Sequence, residues 1–175
     1  MERRAQLDGL RRLSPGKAKG MRVRILWPGR TKTAAVRALE DFYLKRLAGL
    51  LPCEIVVTEV SRGLDEKEAE KILEIEARGL EKRLKDDYIV CLSDKGREMN
   101  SEEFGRFLEK RAVSGTKSLA FVVGGFLGLA PRMLDRAHLR MSLSRMTLSH
   151  ELCRAVLLEQ IYRGASLMKG RSYAK

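Results

Sequence analysis

The chain is poor in the residues that hold metals and disulfides. Cysteine occurs three times, at Cys53, Cys91 and Cys153, with no Cys-x-x-Cys pair. An odd count at such wide spacing excludes a disulfide scaffold, and each cysteine lies in an apolar context that suits a buried free thiol. Histidine occurs only as His138 and His150. With so few soft ligands, a structural zinc site is not expected, and no metal is assigned. The longest nearly apolar stretch, residues 119–131, is broken by Gly124, Gly125 and Gly128 and falls short of the about 20 residues that span a bilayer. The opening Met-Glu-Arg-Arg leads into no hydrophobic signal segment. A cytoplasmic protein with no membrane partner is therefore expected. There is also no internal repeat, no low-complexity tract, no G-x-G-x-x-G fingerprint and no P-loop.

What is present is positive charge. The 175 residues carry 35 Lys and Arg against 23 Asp and Glu, a net of +12. Residues 1–20 hold six basic and two acidic side chains, and residues 130–175 hold nine and three. The middle of the chain is almost balanced. Charge gathered at the two ends favours a polyanionic partner over a merely soluble surface. The first 20 residues, broken by Ser14-Pro15-Gly16, read as a basic extension that is mobile when free. Residues 21–175 read as one domain.

Strand and helix signals alternate along that domain. Residues 21–27 form a strand closed by Pro28-Gly29. Thr33 caps a helix over residues 34–50, with Val36, Leu39, Tyr43, Leu47 and Leu50 as its apolar stripe. Residues 54–60 are β-branched and read as a second strand. Residues 65–85 form a charged helix with Ala69, Ile72, Ile75, Leu80 and Leu84 inward. Residues 87–93, continuously apolar from Tyr88 to Leu92, and residues 118–123 are strands without alternation, as in a parallel sheet covered on both faces. A helix opened by Ser101 and Glu103 lies between them. The class is α/β, with a mostly parallel sheet flanked by helices. In such sheets ligands bind beyond the carboxyl ends of the strands. That directs attention to Ser93-Asp94-Lys95-Gly96 and to Gly124-Gly125-x-x-Gly128. Taken alone, the second motif describes a tight turn.

The segment Met141-Ser142-Leu143-Ser144-Arg145-Met146-Thr147-Leu148-Ser149-His150 alternates small polar and apolar residues. A helix starting near Ser149 follows, with Glu159 and Arg163 as an i,i+4 pair. Here the sequence resembles the ribosomal large-subunit methyltransferase H family of the SPOUT superfamily. The resemblance rests on Gly124-Gly125 with Gly128-Leu129, on Leu143 to His150, on Glu159-Gln160-Ile161-Tyr162-Arg163, and on Gly170 and Tyr173. It runs from Met21 to Lys175.

The resemblance implies a C-terminal trefoil knot, a known exception to unknotted topology. It implies a homodimer, S-adenosylmethionine as cofactor, and N3 methylation of a pseudouridine in 23S ribosomal RNA on assembled ribosomes. By position, cofactor contacts fall on Leu92, Gly124, Leu143, Ser144, Arg145, Met146, Thr147 and Leu148. Arg154 and Arg163 are candidates for holding substrate or stabilising its anion. Tyr173 is a candidate for positioning the base, and His150 for titrating. The chain departs from the family pattern at Phe126, at Ser149 (commonly Pro) and at Ala174, where the family tail commonly carries His. The last departure motivates an alternative, a degenerate member that binds ribosomal RNA without methylating it. An α/β enzyme acting on a small nucleotide is a third reading.

Overall fold

The computed structural model describes residues 20–61 and 63–170. Most of the basic extension, together with Tyr173 and Ala174, lies outside the described residues.

Five parallel strands form one sheet in the order β2-β1-β4-β3-β5. They are β1 (Arg22–Pro28), β2 (Cys53–Thr58), β3 (Tyr88–Glu98), β4 (Ser118–Val122) and β5 (Leu139–Ser142). Every residue of β4 is buried, as its central place and unbroken apolar run require. The helices are α1 (Ala34–Leu47), α2 (Ala69–Glu81), α3 (Ser101–Val113), α4 (Pro131–Asp135) and α5 (His150–Met168). On one face Val23, Ile25 and Trp27 pack with Leu47 of α1, Phe104 and Leu108 of α3, and Leu157, Leu158 and Ile161 of α5. On the other, Leu26, Ala120 and Val122 pack with Ala77 and Leu80 of α2 and Met133 of α4.

The amino end of the sheet is locked by charge. Arg24 donates to Asp87 at 2.8 Å, to Glu54 at 2.9 Å and to the Arg83 carbonyl at 3.0 Å. The Ser118 hydroxyl donates to Asp87 at 2.5 Å. The carboxyl end is left to the loops.

The predicted elements are present, with shifted ends and two inverted side chains. α1 stops at Leu47, and the Thr33 side chain makes no cap. On α1, Leu39 is 42% exposed while Glu40 is buried. On α2, Ile75 is 38% exposed while Glu76 is buried. Both expected apolar stripes are thus wrong at one position, because a carboxylate has turned inward beside it. α3 opens at Ser101 as expected, and Asn100 before it is the cap, accepting from the Glu103 amide in a full capping box. β3 runs on to Glu98 through an irregularity between Leu92 and Arg97, and both of those residues pair with Met141. β5 is a strand that periodicity did not mark. Cys53 and Cys91 have thiols pushed up to about 12 by burial, so they stay protonated and structural.

Candidate functional site

A cavity of about 580 Å³ opens beyond the carboxyl ends of β4 and β5, beside the irregular stretch of β3. The turn after β4 forms one wall. Gly128 donates to the Gly125 carbonyl at 3.0 Å, and its φ of 78° is a left-handed value that favours glycine. A Cβ at Gly124 would collide with the Gly128 backbone, so this turn closes only with glycine there. The segment after β5 forms the opposite wall. The Ser142 hydroxyl donates to the Ser144 carbonyl at 2.9 Å, and the Ser144 hydroxyl accepts from the Met146 amide at 3.0 Å. Such local side-chain bonds fix a loop without regular structure. Leu92, Ser93 and Asp94 supply the third side, and His150 and Cys153 the fourth.

Leu92, Gly124, Leu143, Ser144, Met146, Thr147 and Leu148 all line this space. Arg145 does not. Its side chain is 89% exposed and pairs with Glu98 at 3.1 Å. Met146 is 78% exposed and Phe126 is 53% exposed, so two apolar side chains stand at the rim.

His150 opens α5. Ser149 caps that helix, accepting from the Leu152 amide at 3.2 Å. Burial, helped by the Arg154 charge, holds the His150 pKa below its ordinary value, so the imidazole is neutral at neutral pH. Cys153, one turn on, has its thiol pushed up by burial.

Arg154 lies behind the cavity wall and is 1% exposed. It donates to the Pro28 carbonyl and to Thr31 Oγ1, both at 2.9 Å, and its guanidinium sits 4.7 Å from the Trp27 ring centroid. Thr31 in turn donates to the buried Glu40 at 2.6 Å. Glu151 reaches the same β1–α1 loop from outside and accepts from the amides of Lys32 at 2.5 Å and Thr33 at 3.1 Å. Bonds from Thr33 and from the Lys32 backbone lower its pKa to about 2. The first turn of α5 therefore pins the segment that leads into α1. Arg163 pairs with Glu159 at 2.7 Å along α5. Tyr173 lies outside the described residues.

The geometry thus brings His150 and seven of the eight expected contact positions into one cavity, and it sets Arg154 and Arg163 elsewhere. Sequence reasoning missed Met141 and Cys153 as lining residues. Their placement depends on strand pairing and helix phase. It also missed Glu40 and Glu76. Among the described residues, no group of three His, Cys, Asp or Glu is placed to hold a metal ion, and no helix is long and apolar enough to cross a membrane.

A family model described as a predicted SPOUT methyltransferase matches residues 21–174. The chain is similar to the ribosomal RNA large subunit methyltransferase H of Clostridium kluyveri, at 38% identity over 164 residues, covering 89% of this chain and 100% of that protein. The protein of the same name from Lactococcus lactis is 36% identical over 159 residues, with the same coverage. A solved probable methyltransferase from Bordetella pertussis superposes with a TM-score of 0.52 at 12% identity, over 83% of this chain and 96% of that one, which speaks for the fold alone. On the family match and these identities, the chain belongs to the SPOUT methyltransferase family, among the relatives of the ribosomal RNA large subunit methyltransferase H proteins.

Proposed function

We propose that the protein binds S-adenosylmethionine in the cavity at the carboxyl end of the sheet and methylates N3 of a pseudouridine in 23S ribosomal RNA. The observation that carries this reading is the cavity itself. Its size falls within the about 300–1,000 Å³ of small-molecule sites. Its lining mixes apolar Leu92, Leu143 and Leu148 with the polar Asp94, Ser144 and Thr147. An adenosine bearing an amino-acid arm needs both kinds of surface, so the residues present fit the group. The two relatives named above are ribosomal RNA methyltransferases by name, which supports the substrate.

When bound, the cofactor supplies a methyl group made electrophilic by a sulfonium. The chain's part is to align and to manage a proton. The loop of residues 143–148 and the Gly124–Gly125 turn fix the ligand's orientation, and alignment supplies much of the rate. The imide proton must leave. His150, neutral and on the cavity wall, is the side chain placed to accept it, with the tail around Tyr173 as the other contributor. Arg154 and Arg163 enter this proposal as positioning residues. The first holds the β1–α1 loop against α5, and the second is fixed to Glu159.

A homodimer belongs to the same proposal. Leu39 and Phe42 on α1 and Leu152 on the neighbouring α5 are 42%, 45% and 41% exposed, and a paired copy would cover them. The trefoil knot is proposed too. It rests on the family match over residues 21–174. The basic extension is proposed to add phosphate contacts.

Mass spectrometry of 23S ribosomal RNA from a deletion strain tests the reading. One methyl group should be missing from one pseudouridine and return on complementation. Ribosomal RNA of unchanged mass would refute the activity. Intact ribosome binding with that result would favour a binder without catalysis.

A further inference from the structure

α2 turns a charged face to solvent, yet Glu76 in its middle is only 3% exposed. Neither of its carboxylate oxygens has a hydrogen-bond partner among the described residues. Buried carboxylates without donors are among the costliest groups a fold can hold, and each one calls for an explanation. The nearby polar groups do not supply one. The Thr58 hydroxyl, at the end of β2 and against the same face of α2 at Gly79, is buried and unpartnered as well. Arg154, the cation that acts on Glu76, spends its two terminal nitrogens on Thr31 and the Pro28 carbonyl.

The carboxylate lies directly against Gly125. A Cβ built there would sit 2.6 Å from Oε2 and 3.0 Å from Oε1. Gly125 is itself a wall of the cavity. A single residue without a side chain therefore separates a buried carboxyl group, whose ionised form burial disfavours and a cationic neighbour favours, from the ligand space. Through a wall so thin and so poorly hydrated, a charge acts far more strongly than it does through water.

We propose that Glu76 reads the charge on the ligand's sulfur. Its field across Gly125 favours a sulfonium in the cavity and offers nothing to an uncharged thioether. In methyl transfer the carbon–sulfur bond breaks and a carbon–nitrogen bond forms. The nitrogen's proton leaves to a base or to water, and the sulfur, keeping the bonding electron pair, becomes neutral. Glu76 is thus a specificity-determining residue that holds the loaded cofactor and lets the spent one go. The inference rests on the reading of this cavity as the S-adenosylmethionine site.

Calorimetry on the full chain tests it, with three ligands: S-adenosylmethionine, its demethylated thioether, and an analogue with a protonated amine in place of the sulfonium. Wild type is measured first. If it binds none of the three, the reading of the cavity fails, and this inference falls with it. If it binds them, Glu76→Gln is compared. The two cations should weaken about tenfold, equivalent to about 1.4 kcal/mol, while the thioether stays within about twofold. Equal weakening of all three would mean that Glu76 only props the loop, and no weakening would mean that it does neither; both overturn the inference. Should Glu76→Gln fail to fold, Glu76→Met fills similar space without polar atoms and carries the same expected ratios.

Discussion

Replacing Arg154 with Met separates a structural role from a substrate-binding one. The guanidinium makes two charge-assisted bonds of 2.9 Å and lies over the Trp27 ring, all at 1% exposure. Bonds to charged groups contribute about 1.5–3 kcal/mol each, and a desolvated cation over an aromatic face about 2 kcal/mol. These do not add, because removing the charge also removes its own desolvation cost. What decides the sign is that Glu40 and Glu76, both buried, lose the cation that holds their raised pKa values down. Removing one partner of a buried charge group costs about 3–5 kcal/mol. For a chain of this size each kcal/mol lowers Tm by about 2–4 °C, so Arg154→Met should melt about 10 °C lower. Circular dichroism reads the loss. Trp27 fluorescence reads the site itself, since the chain has a single tryptophan. Arg154→Lys keeps the charge without the fork and should fall between the two. In Arg154→Met combined with Glu40→Gln, the two losses should sum to more than the double variant shows. A Tm within about 3 °C of wild type would refute the reasoning. If methylation collapsed at the same time, Arg154 would be a substrate residue.

Gly124→Ala should abolish detectable cofactor binding by calorimetry while far-ultraviolet dichroism stays native, because the new Cβ meets Gly128 backbone and pushes this exposed turn out of shape. Glu151 has its pKa lowered from 4.5 to about 2, so its contribution is present above about pH 4.5 and is lost as pH falls toward 2. Wild type should therefore lose stability over that window more steeply than Glu151→Gln in acid-dependent melting, with the effect reduced by solvent screening and salt. Ala174→His should raise the single-turnover rate near neutral pH without changing cofactor affinity, since a positioned general base contributes about a hundred- to ten-thousand-fold. An unchanged rate would place the base elsewhere, with His150 as the first choice.

The parts of this protein that could be read from sequence are those whose signal is local. The unbroken apolar run of β4, the capping residues around Asn100 and Ser149, and the glycine turn after β4 are each dictated by neighbours a few positions away. The inward turn of Glu40 and Glu76 is not. Helical periodicity assigns carboxylates to solvent, and it fails at Glu40 because Thr31, held by Arg154 from the far end of the chain, donates to it, and at Glu76 because that carboxylate lies against the Gly125 turn. β5 escaped notice because four residues carry little periodicity, and its partner is the irregular half of β3. For the site, the 143–148 run was legible through the family resemblance, and five of its six positions line the cavity. That Arg154 stands among residues that are otherwise buried was legible in the helix pattern, but its partners Thr31 and Pro28 were not, because they come from a loop more than a hundred positions away.

The lashing of the β1–α1 loop to the first turn of α5 has a consequence for synthesis. The ribosome delivers β1, α1, β2 and α2 first, but the anchors of that loop, Glu151 and Arg154, and the cavity walls from Leu92 to Cys153 emerge only near the end. β4 must then insert between β1 and β3, so the decisive contacts are long-range and slow to form. A chain cut short before α5 has a glycine turn but no enclosed ligand space, and two buried glutamates with no cation. Such fragments lack Leu157, Leu158 and Ile161, so one apolar face of the sheet would stand uncovered until the last helix arrives.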